Sequence, residues 1–312
     1  MPKNRNDRIL LALDGSDRAF ETVKYVSKII PFQKMKVVLF TVYDKIPESY
    51  WDLERQPLFG PRAHSIRAWE IGREKTLSEY MHRAKEHLLA SGFSEEAVTV
   101  RIHEREKGIA RDIIKEAEKG YAALVVGRRG MSKIKTLVLG SVATKLVESI
   151  SFAPLLMVGR AVASGKILIG LDPSEGSMRA VDFVARTLSD CDFCKVKLVH
   201  VIRGKSDPTS GYHKLFTPKE YAVEAQERIR RVFQRAKDRL VNAGFDSDQV
   251  SMKTVTGAES RAAAILAEAA EGKYGTIVVG RRGLSEVQEF FIGRVSNKVL
   301  QLAKGHAVWV VS

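Results

Sequence analysis

The sequence predicts an α/β protein built of two tandem, doubly wound domains, each a five-stranded parallel sheet with helices on both faces. Three observations predict this class. Short runs of branched apolar residues alternate with helical patterns along the whole chain, as in parallel strands joined by right-handed helical crossovers. A stretch from Leu124 to Gly130, with Gly140-Ser141 ten residues on, returns 153 positions later as Ile277 to Gly283 with Gly293-Arg294. A length of 312 residues is also long for a single core and suits two domains of about 150. The small-residue stretch Val162-Ala163-Ser164-Gly165 predicts the boundary, giving domains at 1–162 and 163–312.

The elements of the first half follow in order. Arg8 to Asp14 reads as a buried strand ending on a carboxylate. Gly15-Ser16 turns the chain into a helix with Ser16 as N-cap and Asp17 in the first turn. Ala19, Val23, Val26 and Ile30 supply its apolar stripe. Val37 to Val42 is the second strand, followed by a polar loop from Asp44 to Pro61 and a long helix closed by Gly92 at its C′ position. Val98 to Ile102, Ala122 to Val126 and Leu155 to Val158 are strands three to five. Helices over Ile109–Lys119 and Ser141–Ser149 separate them, the latter with Ser141 near its cap.

The second half repeats these elements one by one. Lys166 to Asp172 matches the first strand, with Ser174 as the cap of the next helix, and Val196 to Val201 matches the second strand. Thr217-Pro218-Lys219-Glu220 reads as a capping box with proline at the first helical position. That helix ends at Ala243-Gly244-Phe245, the counterpart of Ser91-Gly92-Phe93. Strands at Val250–Lys253, Thr276–Val279 and Val308–Val311, with helices at Ala262–Ala270 and Val295–Ala303, complete the copy.

Composition narrows the function classes. The net charge is +14, shared as +8 over residues 1–160 and +6 over 161–312, which favours anionic partners. No zinc-finger spacing and no aromatic–basic signature of an RNA-binding sheet is present, so nucleic acid is not the expected partner. The polar start, Met1 to Arg8, lacks the apolar core of a signal peptide, and no run approaches the ~20 apolar residues of a membrane span. The expected location is the cytoplasm. Cys191-Asp192-Phe193-Cys194 could be a redox turn or half a zinc site. Its place after a helix and before a strand, with no second pair, favours a structural role. No histidine pair has metal-ligand spacing, so no dedicated metal site is expected.

The duplicated stretch carries the chemistry. A strand, a glycine-hinged loop and a helix N-terminus bring backbone N–H groups together where the helix dipole favours an anion. In doubly wound sheets the ligand lies beyond the carboxyl ends of the strands, where strand order reverses. Asp14 and Gly127 both end strands, so neighbouring strands would place them in one crevice. Glycine at 130 and 140 either keeps the space between amide and phosphate open or supplies a positive φ. Asp14 alone could equally be a local helix cap; its pairing with the glycine loop points to a ligand.

Gly127-x2-Gly130-x9-Gly140-Ser141, with Asp14 before it and Leu137 to Ala143 around it, resembles the nucleotide motif of the ATP-binding universal stress proteins. The resemblance spans the whole chain twice. It implies a strand order of 3-2-1-4-5 and ATP, ADP or AMP in the crevice, with Mg²⁺ or Mn²⁺ bridging the phosphates. By position, the backbone at Val42 would meet adenine and Asp14 the ribose. Gly127 and Gly130 would let the main chain approach, while Gly140, Ser141 and Val142 would cradle phosphates. The second set is Asp172, Val201, Gly280, Gly283, Gly293 and Arg294, where Arg294 replaces the hydroxyl residue and Pro173 removes a backbone donor. Arginine can instead pair with phosphate. Of each pair Arg128-Arg129 and Arg281-Arg282, one member is expected only to solvate its loop.

No Walker motif, H-x-G-H or S-G-G-x-D-S loop is present, and no nucleophilic triad is recognisable. The expectation is therefore a nucleotide-responsive regulatory protein with an unknown protein partner and at most slow hydrolysis. A scaffold with vestigial sites and a slow ATPase are the alternatives. The last strands of the two halves are expected to pair within the chain as a pseudo-dimer, leaving a homodimer of the whole chain open.

Overall fold

The computed structural model describes residues 7–45, 60–130, 139–159, 165–189, 191–203, 218–283 and 292–312. The first half runs β1 (Arg8–Ala12), α1 (Asp17–Lys28), β2 (Lys36–Tyr43), α2 (Gly60–Ala90), β3 (Val98–Glu104), α3 (Ile109–Ala117), β4 (Ala123–Gly127), α4 (Ser141–Ser149) and β5 (Leu155–Val158). The second runs β6 (Lys166–Gly170), α5 (Glu175–Leu188), β7 (Lys195–Arg203), α6 (Pro218–Asn242), β8 (Val250–Ala258), α7 (Arg261–Glu271), β9 (Thr276–Gly280), α8 (Arg294–Leu302) and β10 (Ala307–Val311).

The ten strands form one sheet in the order β3-β2-β1-β4-β5-β10-β9-β6-β7-β8. Each half therefore has the expected 3-2-1-4-5 order. The two meet where β5 and β10 pair antiparallel, with Trp309 opposite Leu156; every other strand pair is parallel. Alternation along the strands sorts the core into two layers. Leu11, Leu39, Val125, Ile169 and Trp309 face α1, α2, α5 and α6, while Leu10, Leu124, Leu168 and Val308 face α3, α4, α7 and α8. Both layers cross from one half to the other without a break.

The seam is packed and hydrogen-bonded. Trp309 is fully buried between Phe32 and Phe183, and its indole N–H donates to the Tyr25 hydroxyl at 2.9 Å. That hydroxyl also pairs with Thr276 Oγ1 at 2.8 Å. Burial, outweighing both hydrogen bonds, pushes the Tyr25 phenol well above its ordinary pKa.

Caps and turns follow local chemistry. Ser16 and Ser174 accept from the amides of Ala19 and Ser177 at 3.1 and 3.2 Å. Gly92 and Gly244 end α2 and α6 at φ +101° and +116°, values that disfavour other residues. Ser141 lies near the cap of α4 as expected: it is the first helical residue, directly after the N-cap Gly140. Strands β3 and β8 run further than their short apolar runs suggest, because pairing with β2 and β7 extends them. Cys191 and Cys194 are buried and joined as a disulfide, in a turn whose carbonyls accept from Gln249 Nε2. The loop after Asp44, most of the boundary stretch, Leu137-Val138 and the Thr217 capping box lie outside the described residues.

Candidate functional site

Two cavities of about 660 and 650 Å³ open beyond the carboxyl ends of the strands, one in each half, where β1 meets β4 and β6 meets β9. Asp14, Val42, Gly127, Gly130, Gly140, Ser141 and Val142 all line the first. Asp172, Val201, Gly280, Gly283, Gly293 and Arg294 all line the second. Sequence positions up to 128 residues apart thus converge on each crevice.

The first cavity is built upward from β1. Two residues past the strand, Asp14 Oδ1 accepts from the Ser16 amide at 3.1 Å and the Ser16 hydroxyl at 2.6 Å, fixing the carboxylate at the start of α1. Its other oxygen lies against the glycine loop: a Cβ at Gly130 would stand 1.9 Å from Oδ2. A side chain at position 130 would therefore have to displace the Asp14 carboxylate. Gly127, Gly130, Gly140, Gly280, Gly283 and Gly293 are not among the positive-φ glycines, so the left-handed alternative is set aside. The Gly140 amide donates to the Arg128 carbonyl at 2.9 Å, folding the loop so that α4 points its start at the cavity. No side chain caps α4 or α8, in contrast to α1, α5 and α7, each capped by a serine. Uncapped first-turn amides favour an anion there.

The second cavity keeps this frame and changes its chemistry. The Ser174 amide donates to Asp172 Oδ1 at 3.1 Å, and a Cβ at Gly283 would stand 2.5 Å from Asp172 Oδ2. Pro173 takes the place of Gly15, which sits at φ +82°, without disturbing that hook. Lining residues include Arg203, Arg261, Arg282, Arg294 and Lys298 against Asp172 and Glu259. His200 Nδ1 donates to the Leu171 carbonyl at 2.8 Å. Burial, ahead of Arg261, lowers the imidazole pKa despite that bond and Asp172, so the ring is neutral at pH 7 with Nε2 as an acceptor.

The arginine pairs divide differently from expectation. Arg129 and Arg282 line the cavities, whereas Arg128 and Arg281 are buried and neither solvate a loop nor reach a cavity. Each crosses the seam to the far end of the other half's helix. Arg281 donates to the carbonyls of Ile150, Val147 and Glu148 at 2.6, 2.9 and 3.2 Å, at the end of α4. Arg128 donates to Leu300 and, at 3.4 Å, to Gln301, at the end of α8. Neither helix carries a basic residue in its last turn, so the opposite half supplies the cation that its terminal carbonyls favour. Burial first, then Arg129, brings the Arg128 guanidinium down to about 10; burial and Arg282 lower Arg281.

Several cavity residues were missed from the sequence. Trp69, with the Arg73 guanidinium 5.3 Å from its ring centre, lines the first cavity from α2, together with Thr41, Tyr43 and Ile109. Trp69 lies on a helix with several other apolar residues and in no motif, so the sequence offered no signal for it. Spacing also gave no hint that His103, Glu106 and Asp112 place ligand-type atoms within 4.8 Å of one another. Asp112 accepts there from the amides of Glu106, Lys107 and Gly108 at 2.9, 3.1 and 3.4 Å, and Glu106 pairs with Lys115 at 2.7 Å, so both carboxylates are engaged in holding the loop before α3.

Fold and cavities together define a paired, doubly wound α/β protein with a crevice at the topological switch point of each half. The chain belongs to the universal stress protein family: the family model matches residues 5–159 and again 164–312. It is 29% identical over 143 residues to universal stress protein YxiE of Bacillus subtilis, covering 44% of this chain and 93% of that one. Its fold is similar to a universal stress protein from Archaeoglobus fulgidus at a TM-score of 0.62, with 21% identity over 98% of both chains. A functionally unknown protein from Pseudomonas aeruginosa matches at 0.58, with 15% identity over 98% of this chain and 92% of that one. Among the described residues no helix is long and apolar enough to cross a membrane.

Proposed function

We propose that the chain is an adenine-nucleotide-binding stress-response regulator, with residues 1–162 and 163–312 as its two domains. The observation that carries this reading is the first cavity, where Asp14, the close-packed Gly130 and the uncapped start of α4 meet in about 660 Å³. That volume lies within the ~300–1,000 Å³ usual for small-ligand sites.

In this reading the backbone at Val42 meets the adenine and Asp14 the ribose hydroxyls. Gly127 and Gly130 keep the main chain bare for close approach. Gly140, Ser141 and Val142 present amides and a hydroxyl to the phosphates. Mg²⁺ or Mn²⁺, carried in with ATP, would neutralise phosphate charge; no protein ligand is assigned to it. The chain's own residues bind and orient, and none is placed as a nucleophile or general base, so hydrolysis is slow at most.

The nucleotide acts as a conformational switch in this account. The loop that carries Gly130 also carries Arg128, which holds the end of α8, and the start of α8 lines the second cavity. Arg281 makes the reciprocal link to α4 and the first cavity. A ligand that moves either loop therefore biases the seam, and with it the surface offered to a protein partner or a second copy of the chain. The cytoplasm is the proposed location.

The test is a thermal-shift titration with ATP, ADP, AMP and GTP, with and without Mg²⁺. Saturable stabilisation by the adenine nucleotides, weaker with GTP, supports the reading. No shift with any of them at millimolar concentration sinks it and leaves the scaffold reading. Steady-state phosphate release abolished by Gly130→Val favours the slow ATPase.

A further inference from the structure

The two cavities share a frame, so position-by-position differences between them isolate what each is built to hold. Three lining positions change from uncharged to nitrogen-bearing side chains. Thr41 on β2 corresponds to His200 on β7, Ile109 at the start of α3 to Arg261 at the start of α7, and Ser141 at the start of α4 to Arg294 at the start of α8. Lys298, one turn into α8, also lines the second cavity, whereas its counterpart Lys145 does not line the first.

The balance of charge shifts accordingly. Among the described residues, Asp14, Arg73 and Arg129 give the first lining a formal excess of one positive charge. Asp172 and Glu259 against Arg203, Arg261, Arg282, Arg294 and Lys298 give the second an excess of three, again among the described residues. At the phosphate end the contrast among the described residues is local: Arg282, Arg294 and Lys298 line the second cavity near the start of α8, where Ser141 and Arg129 line the first. Arg282 also has a buried Nε without a hydrogen-bond partner among the described residues. A buried guanidinium donor left unpaired is costly, and an anion in this cavity would satisfy it.

We propose that the second cavity binds a polyphosphate tail free of metal, with Arg294, Arg282 and Lys298 in the place that a divalent cation takes for the first. This rests on the nucleotide reading of the frame and deepens it: the first cavity selects the metal complex, the second the uncomplexed and more anionic form. The ligand class is a nucleoside polyphosphate or a condensed inorganic phosphate. Arg294 is the specificity-determining residue. Bidentate guanidinium–phosphate pairing replaces cation-mediated neutralisation, and a metal complex would bring two further positive charges into an already cationic lining.

The experiment is equilibrium dialysis of the full chain against ATP in excess Mg²⁺ and in excess EDTA, with tripolyphosphate as competitor. In EDTA the wild type is expected to retain close to one ATP per chain. Arg294→Ser should weaken that EDTA-resistant binding at least tenfold while leaving Mg²⁺-dependent binding in place. Arg294→Lys, which keeps the charge, should lose only a few-fold. Ser141→Arg should make the first cavity resistant to EDTA as well. Displacement by tripolyphosphate would assign a condensed phosphate, and failure to displace would assign a nucleotide; either accords with the proposal. Binding of Mg·ATP that EDTA abolishes completely overturns the proposal and leaves the nucleotide reading standing. No ATP bound under either condition overturns both.

Discussion

Oδ2 of Asp14 occupies the space that a side chain on Gly130 would need, with only 1.9 Å between that oxygen and the position of a Cβ. Asp172 and Gly283 repeat the relationship at 2.5 Å in the second half. The carboxylate that ends the first strand region and the glycine of the loop after the fourth are therefore one unit, although 116 residues separate them.

The pair predicts a coupled mutational response. Gly130→Ala forces the loop away from Asp14 and should cost about 1–3 kcal/mol of stability in urea unfolding. In an Asp14→Ala background most of that cost should vanish, because the colliding oxygen is gone. A non-additivity of about 1 kcal/mol or more is expected for residues in contact; strict additivity would show that the two do not constrain each other.

Arg128 and Arg281 each cap a helix across the seam, so their loss should be felt by the whole molecule and not by one half. Replacing either with Met removes charged donors from terminal carbonyls and should destabilise by about 1–3 kcal/mol. Limited proteolysis of the variants should release fragments near residues 159–165. Equal stability of wild type and both variants would remove the seam from the account of the switch.

Glu116 and Glu268 occupy matching places on α3 and α7. Burial would raise both carboxyls. For Glu116 the hydrogen bonds from Lys119 and Tyr121 outweigh it, and for Glu268 those from Lys197 and Lys253, leaving both pKa values lowered. A depressed folded pKa means the folded state binds fewer protons, so this stability is present above the ordinary glutamate value of 4.5 and lost as pH falls through the lower folded values. The stability gap between wild type and Glu268→Gln, read from urea midpoints, should be largest at neutral pH and shrink below about pH 4. A gap that does not change with pH contradicts this.

Trp69 lines the first cavity and is 58% exposed, whereas Trp309 is buried in the seam. Saturating Mg·ATP should change the tryptophan emission of the wild type, and Trp69→Phe should lose most of that change. If the ring stacks on the base, Trp69→Ala should weaken binding by about 1–3 kcal/mol. An unchanged emission titration in Trp69→Phe would place the base elsewhere.

Much of the fold was legible because its signals are local and repeated. Branched apolar runs, serine caps and the two Gly-Phe helix ends locate strands and helices to within a few residues, and the duplication fixed the correspondence between halves. All thirteen expected site residues line the two cavities because strand ends in this topology converge on the switch point. What was not legible depends on tertiary contact. Arg128 and Arg129 are adjacent in sequence and both basic, yet backbone alternation after β4 turns one into the seam and the other to the cavity. Glycine at 130 read from the sequence as either a bare approach for phosphate or a positive-φ position; its close approach to a carboxylate brought up by a different strand was not legible. His200 and Arg261 gave no motif; only their placement beside the second cavity distinguishes them from other basic residues.

The central claim is that the first cavity grips an adenine nucleotide through the unit of Asp14, Gly130 and the start of α4. Isothermal titration of Mg·ATP into the wild type and into Ser141→Glu tests it most directly, since a glutamate there favours the helix start while occupying the phosphate position. The account predicts saturable heat of binding in the wild type and loss of the Mg²⁺-dependent phase in the variant. A variant that binds Mg·ATP as tightly as the wild type, or a wild type with no binding heat at millimolar nucleotide, would contradict it.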